Sequence, residues 1–316
     1  MANFEYVLHL ESFIYNSILF PLACFMNYFA QQTINALQLG SIYALIALGY
    51  SLVYGVLTMI NFAHGDLFML GAFVALILES VVRVPFWIAL IVTMAVIGLL
   101  GALIERFAYR PIRKAPRVSA IITALGCGLI IENVTLGFSP YPRHMPTLLV
   151  NTSYYIGGVT ISSLQLTIIS ISILLMVMLD LIIRRTRFGI AMRALSFDRA
   201  MVPLLGIPAN RIISLTFALG AALGGSAGLL YALAYPVISS SMGILIGWKA
   251  FVAAVIGGIG NMRGAVLGGY ILGATEIISV TLLPSTYRDL IAYSLLLLIL
   301  IIKPYGILGT PPVQKV

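Results

Sequence analysis

Residues 38–73 read QLGSIYALIALGYSLVYGVLTMINFAHGDLFMLGAF and decide the structural class of this protein. Two apolar runs are separated by a short polar segment that contains Asn61, His64 and Asp66. An apolar run of about 20 residues is the length that a helix needs to cross a hydrocarbon layer about 30 Å thick. The stretch therefore predicts two membrane-spanning helices with an interruption between them.

The rest of the 316-residue chain has the same character. Hydrophobic residues make up 61% of it and charged residues 9%, so polar side chains are too few to cover the surface of a soluble domain. Backbone groups in lipid form hydrogen bonds within their own segment, which selects helices. We predict an all-α polytopic membrane protein with about eight transmembrane helices. The expected spans are 33–56, 67–82, 85–105, 117–138, 163–183, 211–235, 248–283 with an interruption, and 287–303.

Two segments interrupt the apolar pattern with glycine and polar side chains. One is MINFAHGDLFMLGAF (59–73), and the other is AAVIGGIGNMRGAVLGGY (253–270), which contains Asn261. Within a membrane protein, such clusters mark broken or re-entrant helices that line a cavity. Because both segments have the order half-helix, break, half-helix, they also suggest a weak internal repeat.

Basic residues gather between the apolar runs and set the orientation of the chain. The net charge of +8 would suggest a nucleic-acid partner for a soluble protein, but this placement favours a topological role and no nucleic-acid partner. The positive-inside rule puts both basic clusters in the cytoplasm, so the loop at 139–162 lies outside. The C-terminus, with Lys303 and Lys315, should lie inside. The clusters are Arg106, Arg110, Arg113, Lys114 and Arg117, and then Arg184, Arg185, Arg187, Arg193, Arg199 and Arg211.

The N-terminal segment does not fit this pattern simply. The stretch SFIYNSILFPLACF (12–25) is apolar but short, and Glu5 and Glu11 precede it where a signal peptide would have basic residues. We expect residues 1–30 to be an extra helix or an extension upstream of an internal start at Met26. Residues 31–316 are expected to form the transmembrane domain.

Three carboxyl groups fall deep within the expected spans. A charge at the bilayer centre costs at least about 2.5 to 3.5 kcal/mol, so such groups are functional candidates. For Asp66 we favour capping of a helix that starts near Leu67 over direct contact with a solute. For Glu132 and Glu276, polar packing between helices and cavity lining are both open. The candidate lining of a translocation path is Asn61, His64, Asp66, Glu132, Asn261 and Glu276.

The chain lacks the motifs of an ATPase or a metalloenzyme. No lysine follows a glycine, so there is no GxxxxGK[ST] phosphate loop, and HExxH and metal-spaced His or Cys clusters are absent too. We therefore predict no catalytic residue, cofactor or metal site in this chain. If transport uses ATP, another chain must hydrolyse it.

The stretch GIAMRALSFDRAMVPLLGI (189–207) is too polar for lipid and too apolar for a plain solvated loop. Its apolar residues recur at helical spacing and predict one stripe on a short helix, which suits a groove on a partner protein. A helix in the headgroup zone, or one packed on the protein's own helices, is the alternative. Pro203 should kink or shorten the helix. The stripe consists of Ala194, Phe197, Met201, and Leu204 or Leu205.

Several separated motifs carry a family resemblance. DRAMVPLLGI (198–207) followed by RIISLTFALG resembles the cytoplasmic coupling loop of ABC importer permeases. With residues 38–73, ERFAYRPIR (105–113), KAFVAAVIGGIGNMRGAVLGGYILGATE (249–276) and KPYGILG (303–309), the chain resembles LivH-type permeases of branched-chain amino acid uptake. The likeness runs from about Gln31 to Lys315.

This resemblance implies a subunit of a bacterial or archaeal inner membrane, surrounded by lipid. It implies four partners: a LivM-like second permease subunit, two ABC ATPase subunits that use ATP and Mg, and an extracytoplasmic amino-acid-binding protein. Urea and amide permeases are similar to this group, so those substrates stay open, as does a stand-alone proton-coupled carrier. The coupling loop, about 184–211, would contact the ATPases through Phe197, Asp198, Ala200, Met201, Leu204, Leu205 and Gly206.

Overall fold

The computed structural model describes residues 20–113, 115–199 and 201–309 of the chain. Its architecture is helical, with short strands only in connecting segments. The helices are α1 (Phe20–Leu57), α2 (His64–Ile77), α3 (Phe86–Ile104), α4 (Arg117–Phe138), α5 (Ser163–Arg185), α6 (Arg187–Phe197), α7 (Ala209–Ala234), α8 (Met242–Gly257), α9 (Met262–Leu282) and α10 (Arg288–Ile302). The strands are β1 (Arg143–His144), β2 (Ser153–Ile156), β3 (Val159–Ser162) and β4 (Val237–Ile238).

Eight helical segments in the described part of the chain are long and apolar enough to cross a membrane, which confirms the expected number. Turns of π-helix extend α2 to Val82, and α3 continues through Glu105–Tyr109 and Arg110–Ile112. Both predicted interruptions are present, at 58–63 and at 258–261. The helix before the second one begins at Met242, six residues earlier than expected, and is too short to count as a span.

The central element is α1, a helix of 38 residues. Every residue at 39–53 is buried, because α5, α7, α8 and α9 pack around this part of the helix. At a rise of about 1.5 Å per residue, α1 is about 57 Å long and exceeds the thickness of a bilayer. Residues 20–30, which we expected to form an extension or an extra helix, continue α1, whereas residues 1–19 lie outside the described residues.

Contacts between loops show which helix ends share a side of the molecule. The Arg199 guanidinium donates to Thr58 Oγ1 at 3.0 Å, and Arg113 donates to Asn210 at 2.7 Å. The ends of α1, α3 and α6 and the start of α7 therefore lie together, at what we call the basic end.

The other ends of these helices meet on the far side, which we call the opposite end. There β1 pairs with β4 and β2 pairs with β3, both antiparallel. The backbone N–H of Thr160, in β3, donates to Gln31 of α1 at 2.9 Å, so the β2–β3 hairpin rests on the outer turns of α1.

The contact between α2 and α7 depends on glycine. A Cβ atom at Gly228 of α7 would overlap the backbone carbonyl of Phe68 in α2. Lipid tails are as apolar as the surfaces of membrane helices, so the hydrophobic effect does not drive these helices together. They commonly associate instead by close approach of their backbones at small residues.

This contact predicts that the same substitution destabilises the protein at one glycine and not at another. Gly228→Ala should lower the thermal unfolding midpoint, because overpacking costs about 1 to 3 kcal/mol. Gly126→Ala in α4 is the matched control, since a Cβ there meets no atom within 4 Å. Fluorescence-detected size-exclusion chromatography after heating measures both, and equal midpoints for the two variants would contradict the assignment.

Candidate translocation and coupling sites

The break between α1 and α2 is held by buried polar groups. The Tyr109 hydroxyl donates to Asn61 Oδ1 at 2.9 Å, and both residues are buried. The backbone N–H of His64 donates to the Asn61 carbonyl at 3.1 Å. Asn61 thus fixes the start of α2, because it joins the break to the end of α3.

The capping role expected for Asp66 is wrong. Helix α2 begins at His64, and Ala63 occupies the position before it without a side-chain hydrogen bond. Asp66 lies in the first turn, where a carboxylate still complements the helix dipole. The helix starts three residues earlier than Leu67 because the Asn61 backbone, and not the Asp66 side chain, receives the first free N–H group.

His64 is buried between α1 and α7. A Cβ at Gly224 would come within 3.2 Å of its ring, and its ring lies edge-on to Tyr50 with centroids 4.7 Å apart. No described residue hydrogen-bonds its Nε2 atom. The His64 ring therefore fills the space that Gly49 and Gly224 leave between α1 and α7. Asp66, two residues later, faces a cavity.

A cavity of about 100 Å³ lies between α2, α4 and α8, and two of the candidate carboxyl groups reach it. Asp66 is only 5% exposed, and its Oδ1 atom is buried with no hydrogen-bond partner among the described residues. Glu132 is half-buried on the α4 side. We call this space the carboxylate cavity. Its lining is Tyr50, Phe62, Asp66, Ala124, Leu125, Gly128, Leu129, Glu132, Gly243, Ile244, Gly247, Trp248 and Phe251.

Aromatic rings form much of the wall of the carboxylate cavity. The Phe62 ring lies 5.4 Å from Trp248 and 5.8 Å from Phe251, between centroids. Glycine makes the remaining space, since a Cβ at Gly243 would come 2.9 Å from Asp66 Oδ1. The result is an apolar enclosure with two acidic groups and no basic side chain in its lining.

Glu276 lies apart from this cavity, in an ion cluster. Its fully buried carboxylate accepts from Arg288 Nε at 2.5 Å, from Lys249 Nζ at 3.1 Å and from the Tyr43 hydroxyl at 3.1 Å. Lys249 also contacts Asp289 at 2.6 Å. The cluster joins α1, α8, α9 and α10, which is polar packing between helices. Our sequence reasoning missed Lys249, although a lysine between apolar residues was itself a signal.

Asn261 caps α9. Its Oδ1 atom accepts from the backbone N–H groups of Arg263 at 3.1 Å and Gly264 at 3.3 Å, and its Nδ2 donates to the Leu308 carbonyl at 2.7 Å. It also lines a second cavity of about 390 Å³ near the basic end, together with Asp180 and Arg193. The second break is therefore fixed from both sides, by the α9 cap and by the chain after α10.

The loop at the basic end is not one helix, so the prediction of a single striped helix is wrong. Helix α6 ends at Phe197, and a separate 3₁₀ turn covers Val202–Leu205. The chain becomes extended at Asp198, whose Oδ1 accepts from the backbone N–H of Met201 at 3.2 Å. Gly206 ends the turn with φ +75°, a conformation that glycine adopts without strain.

The apolar side chains predicted to make this loop's contacts are exposed, while Asp198 is half-buried. The exposed fraction is 77% for Phe197, 59% for Met201, 80% for Leu204 and 75% for Leu205. Val202 is buried and anchors the 3₁₀ turn to the protein. Ala200 lies outside the described residues. Large apolar side chains concentrated in one loop indicate a protein or membrane interaction site.

An acidic anchor supports the base of this loop. Glu105, at the end of α3, is fully buried and accepts from Arg110 at 3.0 Å, and it also contacts Arg113 and Ser214. Because Ser214 belongs to α7, the cluster fixes the helix on which the loop ends.

A polytopic protein with eight candidate spans, an apolar cavity with two carboxyl groups among them and an exposed apolar loop at one end has the architecture of a membrane permease subunit. The family model described as "Branched-chain amino acid transport system / permease component" matches residues 32–300. The chain belongs to this family.

Named relatives agree with the family. The chain is 42% identical over 306 residues to the high-affinity branched-chain amino acid transport system permease protein BraD of Pseudomonas aeruginosa, covering 92% of this chain and 98% of BraD. It is 41% identical over 305 residues to LivH of Salmonella typhimurium, with the same coverage. It is also 26% identical to the permease protein LivM of Escherichia coli, over 87% of this chain and 70% of LivM. The chain is therefore a LivH-type permease.

The ion cluster yields a test of structural roles. Glu276→Ala should destabilise the protein by about 3 to 5 kcal/mol, because it removes the carboxylate partner of Arg288 and leaves the buried Lys249 with only the exposed carboxylate of Asp289. Asp180→Ala removes the exposed Asp180–Arg184 pair, 2.8 Å apart, and should cost at most about 1 kcal/mol. Thermal unfolding of both variants in detergent gives the comparison. A similar midpoint for both would show that the cluster does not hold the helices together.

Proposed function

We propose that this chain is a transmembrane permease subunit of an ABC importer for branched-chain amino acids. It would form the translocation path with a LivM-like second permease subunit, and ATP hydrolysis with Mg would take place in two separate cytoplasmic ATPase subunits. An extracytoplasmic amino-acid-binding protein would deliver the solute. In this proposal the chain has no catalytic residue, cofactor or metal of its own, and no nucleic-acid partner.

The exposed apolar surface of the basic-end loop carries the proposal. The side chains of Phe197, Met201, Leu204 and Leu205 are all mostly exposed, and apolar groups gathered in this way suit a groove on a partner. A docked loop that moves with its partner can pass rigid-body movement to the permease. The named relatives support transport of branched-chain amino acids as the task that this coupling serves.

The proposed orientation follows from charge. Arginines concentrate at the basic end, so the positive-inside rule places that end in the cytoplasm of a bacterial or archaeal inner membrane. The backbone N–H of Leu308 donates to the Gly257 carbonyl at 3.0 Å, beside the second break. Since a Cβ at Gly55 would come 3.3 Å from the Gly260 carbonyl, this break adjoins the end of α1, and the C-terminus is proposed to lie in the cytoplasm.

The proposed path passes the carboxylate cavity. Asp66 and Glu132 line that cavity directly, while Asn61 and His64 lie behind it and set where α2 begins. Asn261 faces the cavity near the basic end, which suits an exit. Glu276 would contribute by holding α8, one wall of the carboxylate cavity, in place.

Reconstitution tests the function. The chain, its second permease subunit and the ATPases are placed in liposomes, and the binding protein is added with labelled leucine, valine, urea or acetamide. ATP-dependent uptake of leucine and valine is the expected result. Uptake of urea or acetamide in preference would overturn the substrate class, and uptake by this chain alone under a pH gradient would favour a proton-coupled carrier.

If the exposed apolar residues of the basic-end loop contact the ATPases, a charge introduced among them should reduce ATP-dependent uptake. The double variant Leu204→Asp, Leu205→Asp should reduce ATP-dependent uptake at least about tenfold, because desolvating a carboxylate in an apolar groove costs more than 1.4 kcal/mol. Phe197→Asp and Gly206→Trp are expected to act in the same direction.

Val150→Asp is the matched control, since Val150 is 86% exposed in the loop at the opposite end. Uptake and co-purification of the ATPases are measured for every variant. Unchanged assembly and uptake in the loop variants would refute the coupling role.

A further inference from the structure

We propose that the carboxylate cavity is a subsite for the ammonium group of the transported amino acid, with Asp66 as its ionic partner and Glu132 as a second acidic group. The inference rests on the proposed function, because it assumes that the solute carries a primary ammonium group. It adds what that function leaves open, namely the atoms that recognise the head of the solute.

The unpartnered oxygen of Asp66 is the first observation. Asp66 is only 5% exposed and lines the cavity. Its Oδ1 atom has no hydrogen-bond partner among the described residues. A buried acceptor without a partner is costly, and a carboxylate more so. The buried basic residue nearest in sequence to the cavity wall, Lys249, is already paired with Glu276 and Asp289. The site is therefore completed by a cation that comes from outside the chain.

The shape and chemistry of the wall favour an ammonium group over a metal cation. Calcium takes six to eight oxygen ligands and magnesium about six, whereas the lining offers carboxyl oxygens from only Asp66 and Glu132 and one hydroxyl, from Tyr50. Rings of Phe62, Trp248 and Phe251 surround them. Aromatic faces attract organic ammonium ions, and a volume of about 100 Å³ exceeds several-fold the space that one water-sized group needs.

The surroundings of the cavity suit the rest of a branched-chain amino acid. Leu125, Leu129 and Ile244 line its outer part and are themselves substantially exposed. An apolar side chain can lie along them while the ammonium group points inward to Asp66. Asp66 and Glu132 lie next to these apolar residues. Because acidic groups within membrane spans face cavities or partners, this surface is not expected to face hydrocarbon. This face of α4 and α8 is therefore assigned to the solute path.

Binding of half-molecules of leucine tests the subsite. The complete transporter in nanodiscs is titrated with labelled 3-methylbutan-1-amine, which keeps the leucine side chain and the amino group but lacks the carboxylate. The competitor is 4-methylpentanoic acid, which keeps the side chain and the carboxylate but lacks the amino group. Saturable amine binding that the acid does not displace is expected. Asp66→Asn should weaken it at least about tenfold, as expected for loss of a charged hydrogen-bond partner, and Glu132→Gln should weaken it less.

Glu79→Gln is the matched control, because it makes the same change in the π-helical extension of the same helix, away from the cavity. Amine binding in Asp66→Asn or Glu132→Gln equal to that of Glu79→Gln, or equal displacement by the acid, would overturn the subsite. If Asp66→Asn fails to elute as an intact complex, Glu132→Gln decides, since Glu132 is only half-buried.

Leucine uptake by the same variants, reconstituted in liposomes, separates this inference from the proposed function. If Asp66→Asn and Glu132→Gln take up leucine and bind the amine as the wild type does, the proposed function is supported and the subsite is refuted. Amine binding that depends on Asp66 in a transporter that does not take up branched-chain amino acids removes the function and leaves the subsite. Loss of both uptake and amine binding in Asp66→Asn, with a smaller loss in Glu132→Gln and none in Glu79→Gln, supports the two together.

Discussion

A helix that stops inside a membrane protein leaves backbone groups that lipid cannot satisfy, and this constraint shapes the two breaks on which the structure depends. At the second break, the backbone N–H groups of Ile307 and Leu308 donate to the carbonyls of Ile256 and Gly257, and Asn261 receives the first N–H groups of α9. At the first, the Asn61 backbone receives the N–H of His64 while its side chain accepts from Tyr109. Each break is satisfied by a neighbouring segment, so each ties two regions together.

These ties determine where the acidic groups lie. Because α2 starts at His64, Asp66 falls in its first turn and reaches the space that glycines leave between α4 and α8. Because α8 is short and is bound to Glu276 through Lys249, its aromatic residues face that space from the other side. Neither arrangement depends on Asp66 forming a bond within the protein, which is why its oxygen remains available to an occupant.

The sequence predicted the class, the number of spans and both breaks, since these depend on local composition: apolar length sets a span and a polar, glycine-containing segment sets a break. It misplaced the details that depend on tertiary contacts. Aspartate is a residue type that often caps helices, but Ala63 occupies the cap position of α2. The helix begins earlier because Tyr109, about fifty residues further along the chain, hydrogen-bonds Asn61. The apolar period through Phe197 and Leu204 suggested one helix, but the Asp198 side chain bonds the backbone of Met201 and ends it. Glu132 and Glu276 could not be separated by pattern, because only the fold shows that basic groups from α8 and α10 meet one of them.

The same contacts connect the loop at the basic end with the start of the proposed path. Arg199 of the loop donates to Thr58, the residue with φ +51° at which the chain leaves α1. Three residues later, Asn61 sets the start of α2, and Asp66 follows in its first turn. In the proposed coupling, a displacement of the loop by a docked partner would act directly on this junction, where Thr58 has a positive φ and a small change in backbone angles would reorient the residues that follow. A short, polar and internally bonded segment of this kind can adopt a second arrangement more readily than the buried middle of α1, which packing holds on every side. A displacement of the basic-end loop would thus first change the break between α1 and α2 and the position of Asp66. Helix α1 would stay in place, and the other helices would shift around it.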